Sequence, residues 1–242
     1  MTWPEDDEPV AEPAVGATAG GSAHLAEAVA PDGSPVAVYL VAPGHDDAAI
    51  IDGELPFGAS VLDLGCGAGR IAHQLAALGH DVVGVDESEA MIAALRDDVE
   101  GVVARIEDLD LPRRFDAVLL LSHLINVTGR ERRHALLASC ARHVADGGVV
   151  LVQRYPVGWL RSLDVQAGWV GDVEVTMSVA DWQGDTFSGE VVYRLGDRTW
   201  TQHFEGEAVD DEVLDEALTQ AGLQRDAQLD AAGSWVRARP LR

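Results

Sequence analysis

The chain has 242 residues, of which 47% are apolar, so it is long enough for one substantial core, and its two cysteines make a disulfide framework unlikely to be the basis of the fold. Its 17 basic residues, all arginine, face 41 acidic residues, and the net charge of −24 disfavours nucleic acid or an anionic membrane as a partner. No apolar run approaches the roughly 18 residues of a membrane span, and the acidic N-terminus lacks the pattern of a secretion signal, so a cytoplasmic protein is expected.

The first 55 residues show little periodicity. Residues 1–21 are rich in Pro, Gly, Ala and acidic residues, which predicts a disordered acidic tail ahead of a single domain over 22–242. Apolar residues alternate in PVAVYL (35–40), which predicts a short strand, and a short helix is expected over 45–54.

Strands and helices alternate regularly from residue 59 to residue 154. Five strands are predicted, a buried one over 60–65 and four more over 80–86, 101–106, 115–122 and 149–155. Apolar residues at helical spacing lie between them, and the last of these helices is expected to end at DGG (146–148). The pattern predicts an α/β core over 55–155, with a parallel sheet covered by helices on both faces.

The rhythm changes after residue 155. Strands are predicted over 174–182, 186–195 and 198–209, and the glycines between them indicate turns. We therefore expect an antiparallel β-meander over 172–209. A helix over 210–221 and a strand over 234–239 form the final segment, 210–239.

The stretch VLDLGCGAGR (61–70) places three glycines between the first core strand and the first helix. Glycines let the backbone approach a ligand, a helix start offers free N–H groups, and the carboxyl edge of a parallel sheet is where such folds bind nucleotide-like ligands. The dinucleotide fingerprint requires a glycine at the position of Arg70. Asp86, at the end of the next strand, suits the ribose of either a dinucleotide or S-adenosylmethionine.

This motif and those that follow it resemble the class I S-adenosylmethionine-dependent methyltransferases. The resemblance rests on VLDLGCGAGR, VVGVDES (82–88), ARIEDLDLP (104–112), FDAVLLLSHLINV (115–127) and DGGVVLVQRY (146–155). It implies a Rossmann-like, doubly wound, mostly parallel seven-stranded sheet whose last hairpin is reversed, with the meander inserted near the C-terminus. It also implies in-line transfer of the sulfonium methyl of S-adenosyl-L-methionine, with S-adenosyl-L-homocysteine as product.

The resemblance further implies roles for single residues. The cofactor is expected to contact Asp63, Gly65, Cys66, Gly67, Gly69, Asp86, Glu87, Ser88, Met91, Ile106, Glu107, Asp108 and Ser122. Many members have an aspartate where this chain has Arg105, so the adenine contact is assigned to Asp108 or to a main-chain group. His123, just past the fourth strand, is the candidate catalytic base, and substrate contacts are expected from His123, Asn126, Tyr155 and Trp159.

The acceptor is expected to be a small molecule, since no Asn/Asp-Pro-Pro-Tyr motif follows the fourth strand and the chain is strongly acidic. Whether oxygen, nitrogen or carbon is methylated stays open. Two alternatives also remain, an NAD(P)-binding Rossmann oxidoreductase and a non-catalytic S-adenosylmethionine-binding protein. No histidine or cysteine spacing predicts a metal site, and the exposed strands of the meander suggest a homodimer.

Overall fold

The computed structural model describes residues 25, 27–43 and 47–241, so the predicted tail over 1–21 lies outside the described residues. Over this part of the chain the helices are α1 (Val36–Val41), α2 (Asp47–Asp52), α3 (Ala72–Ala77), α4 (Glu89–Ile92), α5 (Arg130–His143), α6 (Val157–Ser162) and α7 (Asp211–Gln220), with 3-10 turns at Ile106–Asp108 and Leu124–Asn126. The strands are β1 (Ser60–Leu64), β2 (Asp81–Asp86), β3 (Glu100–Val103), β4 (Phe115–Leu120), β5 (Val144–Gln153), β6 (Val165–Val170), β7 (Val173–Gln183), β8 (Thr186–Leu195), β9 (Arg198–Glu207), β10 (Leu223–Gln228) and β11 (Trp235–Pro240). None of the helices just given is long and apolar enough to cross a membrane.

Seven strands form one sheet in the order β10-β11-β5-β4-β1-β2-β3. Neighbours among β1 to β5 are parallel, whereas β11 is antiparallel to β5 and β10 is antiparallel to β11. Because β2 and β4 lie on opposite sides of β1, a crevice opens at the carboxyl end of β1. The predicted doubly wound sheet with its reversed last hairpin is confirmed.

Alternate side chains of each central strand enter two different cores. Leu62 belongs to the same buried cluster as Leu137 of α5, whereas its neighbour Val61 belongs to the cluster of Leu75 of α3. All four side chains are completely buried, and burial of each contributes about 1.5–3 kcal/mol. This period of two explains why helices cover both faces and why the parallel strands are continuously apolar.

A second sheet contains four antiparallel strands in the order β6-β7-β8-β9. The predicted meander corresponds to β7, β8 and β9, and β6 adds an edge strand that the sequence did not predict. Val165 and Trp169 of β6 are both exposed, so apolar and polar residues do not alternate there in the manner of a half-buried strand.

Two local predictions are wrong. The segment 35–40 is not a strand, because helix α1 begins directly after Pro35, which has a φ of −76° and fits a helix start. The consecutive residues Val36, Ala37 and Val38 are all buried, so the alternation in sequence is not an alternation in burial. The last core helix ends at His143 rather than at DGG (146–148), which lies inside β5 where its register with β4 is irregular.

Candidate functional site

The glycine-rich turn after β1 presents bare backbone at the carboxyl edge of the sheet. Gly65 N and Cys66 N both donate to Val85 O, at 2.7 and 3.0 Å, which holds the turn against β2. Gly65 and Gly67 have φ of 76° and 55°, a region that glycine adopts without strain. A Cβ at Gly65 would lie 2.6 Å from Leu124 Cδ1. This wall therefore requires residues without side chains.

Gly69 is constrained for a different reason. Its φ is 84°, and a Cβ there would collide with the His73 ring and lie 2.5 Å from Leu95 Cδ2. His73 lies in α3 and Leu95 follows α4, so these contacts belong to the packing behind the turn. Gly69 thus shapes the turn without reaching the cavity that the other two glycines border.

Asp86, the last residue of β2, ties the turn to the next helix. Its Oδ2 accepts a hydrogen bond from Gly67 N at 3.0 Å, and its Oδ1 accepts one from Ser88 N at 2.9 Å. Ser88 is buried, and its Oγ caps α4 by accepting from Met91 N at 3.3 Å. Burial raises the pKa of Asp86, and the two main-chain hydrogen bonds oppose that rise.

Asp63 and Cys66 lie beneath the turn and do not border the cavity. Burial raises the pKa of Asp63 to about 7, an effect that Arg70 opposes and Asp86 reinforces. The Cys66 thiol donates to Gly67 O at 3.4 Å, and burial raises its pKa well above the usual range. A thiol in that state is a packing group rather than a nucleophile.

The turn after β3 separates its two acidic residues. Glu107 borders the cavity, whereas the Asp108 side chain is 77% exposed and points away from it. Arg105 Nη2 and Arg132 Nε each lie 3.4 Å from Glu107 Oε1. Burial raises the pKa of Glu107, but its own main chain and the two arginines outweigh that effect and the pKa is lowered. Ile106 lines the cavity beside it.

A tight turn after β4 carries two non-glycine residues in the left-handed region. Ser122 and His123 have φ of 51° and 61°, and each costs of order 1–3 kcal/mol. Gln153 Oε1 accepts a hydrogen bond from Ser122 N at 2.9 Å, which supports the turn. The His123 ring stacks on Tyr155 with 3.8 Å between ring centroids, and Tyr155 stacks in turn on Trp159 at 5.7 Å.

His123 is held as a neutral imidazole. Burial lowers its pKa well below the ordinary value, and a main-chain hydrogen bond at Arg154 opposes this only in part. Its Nδ1 is buried and has no hydrogen-bond partner among the described residues. The ring is therefore in its neutral form at neutral pH.

Asn126 joins the β4 turn to the second sheet. Its Nδ2 donates to Glu207 O at 2.9 Å, at the end of β9, and its Oδ1 accepts from Tyr155 N at 3.0 Å. Asn126 is buried, and both of its polar atoms are occupied by main chain. Its contacts fix the positions of Tyr155 and of the β9 end.

These elements enclose a cavity of about 380 Å³ that extends from the glycine turn to the second sheet. One face of the sheet forms its far wall, because side chains at every second position of a strand point to the same side. The wall residues from β8 and β9 are Phe187, Val191, Tyr193, Gln202 and Phe204. The segment ahead of α1 and α1 itself add Asp32, Ser34 and Tyr39.

The structure brings most of the predicted site residues together around this cavity. Those that line it are Gly65, Gly67, Asp86, Glu87, Met91, Ile106, Glu107, Ser122, His123, Asn126 and Tyr155. Those that do not line it are Asp63, Cys66, Gly69, Ser88, Asp108 and Trp159. The second group supports the first from behind, except Asp108, whose side chain is turned outward.

The sequence did not predict the cavity residues that come from α1 and from the second sheet. Tyr39 lies in a segment predicted as a strand, and Tyr193 and Gln202 lie on meander strands that carry no motif. A compositional signal was present, because the chain has only three tyrosines and all three line the cavity.

The arrangement suits an organic ligand. No group of three or more His, Cys, Asp or Glu side chains within the described ranges is placed to hold a metal ion. The bare turn allows close approach, and the half-buried Asp86 carboxylate offers acceptors at the end of β2.

The known proteins that this chain is similar to include several methyltransferases. Residues 61–148 match the family model for a methyltransferase domain. Over 193 residues the chain is 31% identical to the dTDP-3-amino-3,6-dideoxy-alpha-D-glucopyranose N,N-dimethyltransferase of Streptomyces fradiae, covering 74% of this chain and 75% of that protein. It is 38% identical to the ubiquinone biosynthesis O-methyltransferase of Maricaulis maris, but only over 113 residues, 42% of each chain.

A solved structure shows the same architecture with ligand. The S-adenosylmethionine-bound amino pentose methyltransferase CalS10 of Micromonospora echinaspora is 25% identical and has a TM-score of 0.63. The superposition covers 80% of this chain and 88% of that one. The likeness therefore extends beyond the core sheet to most of the described elements.

Proposed function

Because this chain belongs to the class I S-adenosylmethionine-dependent methyltransferases, we propose that it transfers the methyl group of that cofactor to an amino nitrogen of a small molecule. It is an enzyme that uses S-adenosylmethionine and releases S-adenosylhomocysteine, which decides against the oxidoreductase and the non-catalytic binding protein. The nature of the acceptor and the roles of individual residues are the parts proposed here.

The residues at the carboxyl edge of the sheet fit the cofactor. The turn at Gly65 and Gly67 is a cradle that a Cβ would fill, since the added atom at Gly67 would lie 3.2 Å from Tyr39 Cδ1. Asp86 has the position for the ribose hydroxyls, and Glu87, Met91 and the 106–107 turn flank the same region. The adenine contact that the sequence assigns to Asp108 passes to Glu107 or main chain in this proposal.

When bound, S-adenosylmethionine supplies an electrophilic methyl group on a positively charged sulfur. The chain's contribution is then to hold an acceptor in line and to exclude water. The apolar wall of Phe187, Val191 and Phe204 serves the second purpose. His123, as a neutral imidazole at the cavity edge, is the group available to take the proton that an amine loses on methylation.

The charge of the cavity is the observation that supports an amine as the methyl acceptor. Its lining arginines within the described residues are Arg105 and Arg132, and both lie against Glu107. Three other acidic residues line it, Asp32, Asp86 and Glu87. An excess of negative charge in the cavity favours a basic amino group over an acidic group at the reacting end of the acceptor. The long match to the Streptomyces fradiae aminosugar enzyme supports the same choice.

The test is a set of acceptors offered with methyl-deuterated S-adenosylmethionine and analysed by mass spectrometry. The amine is dTDP-3-amino-3,6-dideoxy-α-D-glucopyranose, and its control is dTDP-6-deoxy-α-D-glucopyranose, which has a hydroxyl in place of the amine. A catechol serves as an O-methyl acceptor. We expect label only on the amine. Label on the hydroxyl compound or the catechol, or on none of the three, contradicts the proposal.

A second experiment concerns His123. His123→Ala is expected to lower turnover with the amine at least tenfold, while the affinity for S-adenosylhomocysteine stays within about twofold. Unchanged turnover would remove His123 from the catalytic role.

The remaining sequence predictions are kept as part of the proposal. They are a single methyltransferase domain over 22–242, with a core at 55–155, a substrate cover at 172–209 and a final segment at 210–239. They also include a cytoplasmic location, the absence of a nucleic-acid partner and a homodimer.

A further inference from the structure

Three tyrosines from three different elements meet at the cavity. Tyr39 comes from α1, Tyr155 follows β5, and Tyr193 lies on β8. Burial raises the pKa of each phenol, so all three are neutral hydroxyls at physiological pH. A neutral hydroxyl has one hydrogen to donate and lone pairs that accept. If the hydrogen is already donated within the protein, the hydroxyl can only accept a hydrogen bond from a ligand.

Gln202 on β9 fixes the direction of the hydrogen bonds. Its Nε2 faces three oxygens, at 3.2 Å from Asp32 O, 3.4 Å from Asp32 Oδ2 and 3.1 Å from Ser34 Oγ. Only the NH₂ end of the amide suits that position, so Oε1 points the other way. There it accepts a hydrogen bond from Tyr193 Oη at 3.1 Å.

The hydrogen of Tyr193 is therefore committed to Gln202. Ser34 Oγ donates to Asp32 Oδ2 at 2.7 Å, so the NH₂ group of Gln202 meets only acceptors at that end. A directed chain results, from Tyr193 through Gln202 to the Asp32 carboxylate.

We propose that Tyr193, set by Gln202, is a specificity-determining subsite that accepts hydrogen bonds from hydroxyl groups of the methyl acceptor. The Tyr193 oxygen has lone pairs and no hydrogen to spare, and the carboxylate at the end of the chain polarises the series in the same sense. The subsite therefore binds O–H donors and rejects groups that lack them. This inference rests on the amine acceptor proposed above. It adds that the site also recognises hydroxyl groups of the same acceptor molecule.

The position of the subsite suits this role. Tyr39 also lies against Gly67, so the same side chain borders both the cofactor cradle and the far wall. Tyr193 and Gln202 occupy the sheet face that closes the cavity. A hydroxyl held by Tyr193 would orient the acceptor relative to the cofactor end without taking part in the reaction.

The test pairs changes in the substrate with changes in the protein. Wild type, Tyr193→Phe and Gln202→Leu are each given dTDP-3-amino-3,6-dideoxy-α-D-glucopyranose and its 2-deoxy and 4-deoxy analogues, and kcat/KM is measured. Wild type is expected to prefer the fully hydroxylated sugar at least tenfold over one of the two analogues. Tyr193→Phe keeps the ring but not the oxygen, and its preference should fall to within about twofold of unity.

Gln202→Leu gives a second, independent result. It leaves the Tyr193 oxygen in place but frees its hydrogen, so the subsite gains a donor and the preference should again fall. Thr201→Val is the matched control, because Thr201 is the exposed neighbour of Gln202 and lies outside the cavity lining. Its preference should equal that of wild type.

The outcomes separate this inference from the proposed function. If wild type methylates the amine but Tyr193→Phe keeps the full preference, the subsite is wrong and the amine acceptor stands. If wild type shows no preference among the three sugars, the subsite is also wrong. If wild type methylates none of them and calorimetry with S-adenosylhomocysteine present detects no binding, both proposals fall.

Discussion

At the scale of single residues, the three glycines of the first motif are required for different structural reasons. Gly65 and Gly67 border the cavity, and a Cβ at either position would meet a side chain from another element. Gly69 instead gives room to His73 of α3 and to Leu95, which follows α4. The sequence pattern predicted all three as ligand-binding, because spacing shows where glycine is required but not which atoms press against it.

Gly67→Ala tests the cradle directly. The substitution places a methyl group against Tyr39 at a φ of 55°, so we expect at least tenfold weaker binding of S-adenosylhomocysteine and a loss of about 1–2 kcal/mol in the free energy of unfolding. Gly184→Ala is the control, because Gly184 has a φ of 66° with open space around it. It should show the loss of stability alone, by calorimetry and urea unfolding. Equal binding by both variants would contradict the cradle.

Asp63 makes the stability of the unliganded protein depend on pH. Its pKa is raised from 3.8 to about 7, so between these values the folded protein holds a proton that the unfolded chain releases. The contribution of Asp63 to stability should fall as the pH rises through this window and then level off. Relative to wild type, Asp63→Asn should gain up to about 4 kcal/mol in the free energy of unfolding from pH 4 to pH 7.

Asp116→Asn provides a control of opposite sign. Main-chain and side-chain hydrogen bonds from Ser60 lower the pKa of Asp116, so its carboxylate stabilises the fold above the unfolded pKa and that contribution is lost as the pH falls. This variant should lose stability relative to wild type as the pH rises up to that unfolded pKa of 3.8, and it should run nearly parallel to wild type at higher pH, where Asp63→Asn diverges. Curves for Asp63→Asn and wild type that run parallel in urea unfolding from pH 4 to pH 8 would refute the assignment.

At the scale of elements, Asn126 links the β4 turn with the end of β9. Asn126→Asp keeps the acceptor for Tyr155 N but loses the donor to Glu207 O and sets a carboxylate against a carbonyl. We expect a loss of about 1–3 kcal/mol in the free energy of unfolding, tenfold lower turnover with the amine, and nearly unchanged affinity for S-adenosylhomocysteine. Thr128→Ala, on the same turn but outside the lining, should behave as wild type. Equal loss of cofactor affinity would point to general unfolding instead.

The elements that the sequence predicted well are those with a clear local apolar pattern. Strands β1, β2 and β4 are continuous apolar runs and helix α7 has apolar residues at helical spacing, and their positions agree closely with the prediction. Strand β3 is mostly exposed and ends at Val103, short of the predicted 106. Helix α1, strand β6 and the start of β5 failed. In each case contacts with distant parts of the chain decide the burial: Val38 of α1, for example, packs with Val170, Val173 and Val175.

At the scale of the whole molecule, the edge of the second sheet is the candidate dimer contact. Strand β6 has one unpaired edge, no charged residue, and exposed side chains at Val165 and Trp169, in a chain of net charge −24. We expect light scattering at micromolar concentration to give twice the chain mass of 25.7 kDa.

Trp169→Glu places a charge on that edge and should give the monomer mass. Leu78→Glu is the control, because Leu78 is an exposed apolar residue at the end of α3. It should leave the mass unchanged. A monomeric wild type would rule out the dimer.

The sequence by itself determined the part of the cavity that is proposed to hold the cofactor. The turn at Gly65, the acid at Asp86 and the alternation of strands and helices are local features, because ligand contacts at the carboxyl edge of a parallel sheet come from residues directly after each strand. The part that is proposed to hold the acceptor, formed by α1 and the second sheet, is visible only in the tertiary structure. Tyr39 and Tyr193 lie far apart in the sequence, and no local pattern shows that a short helix and a meander strand close the same cavity, since it is long-range packing that brings them together.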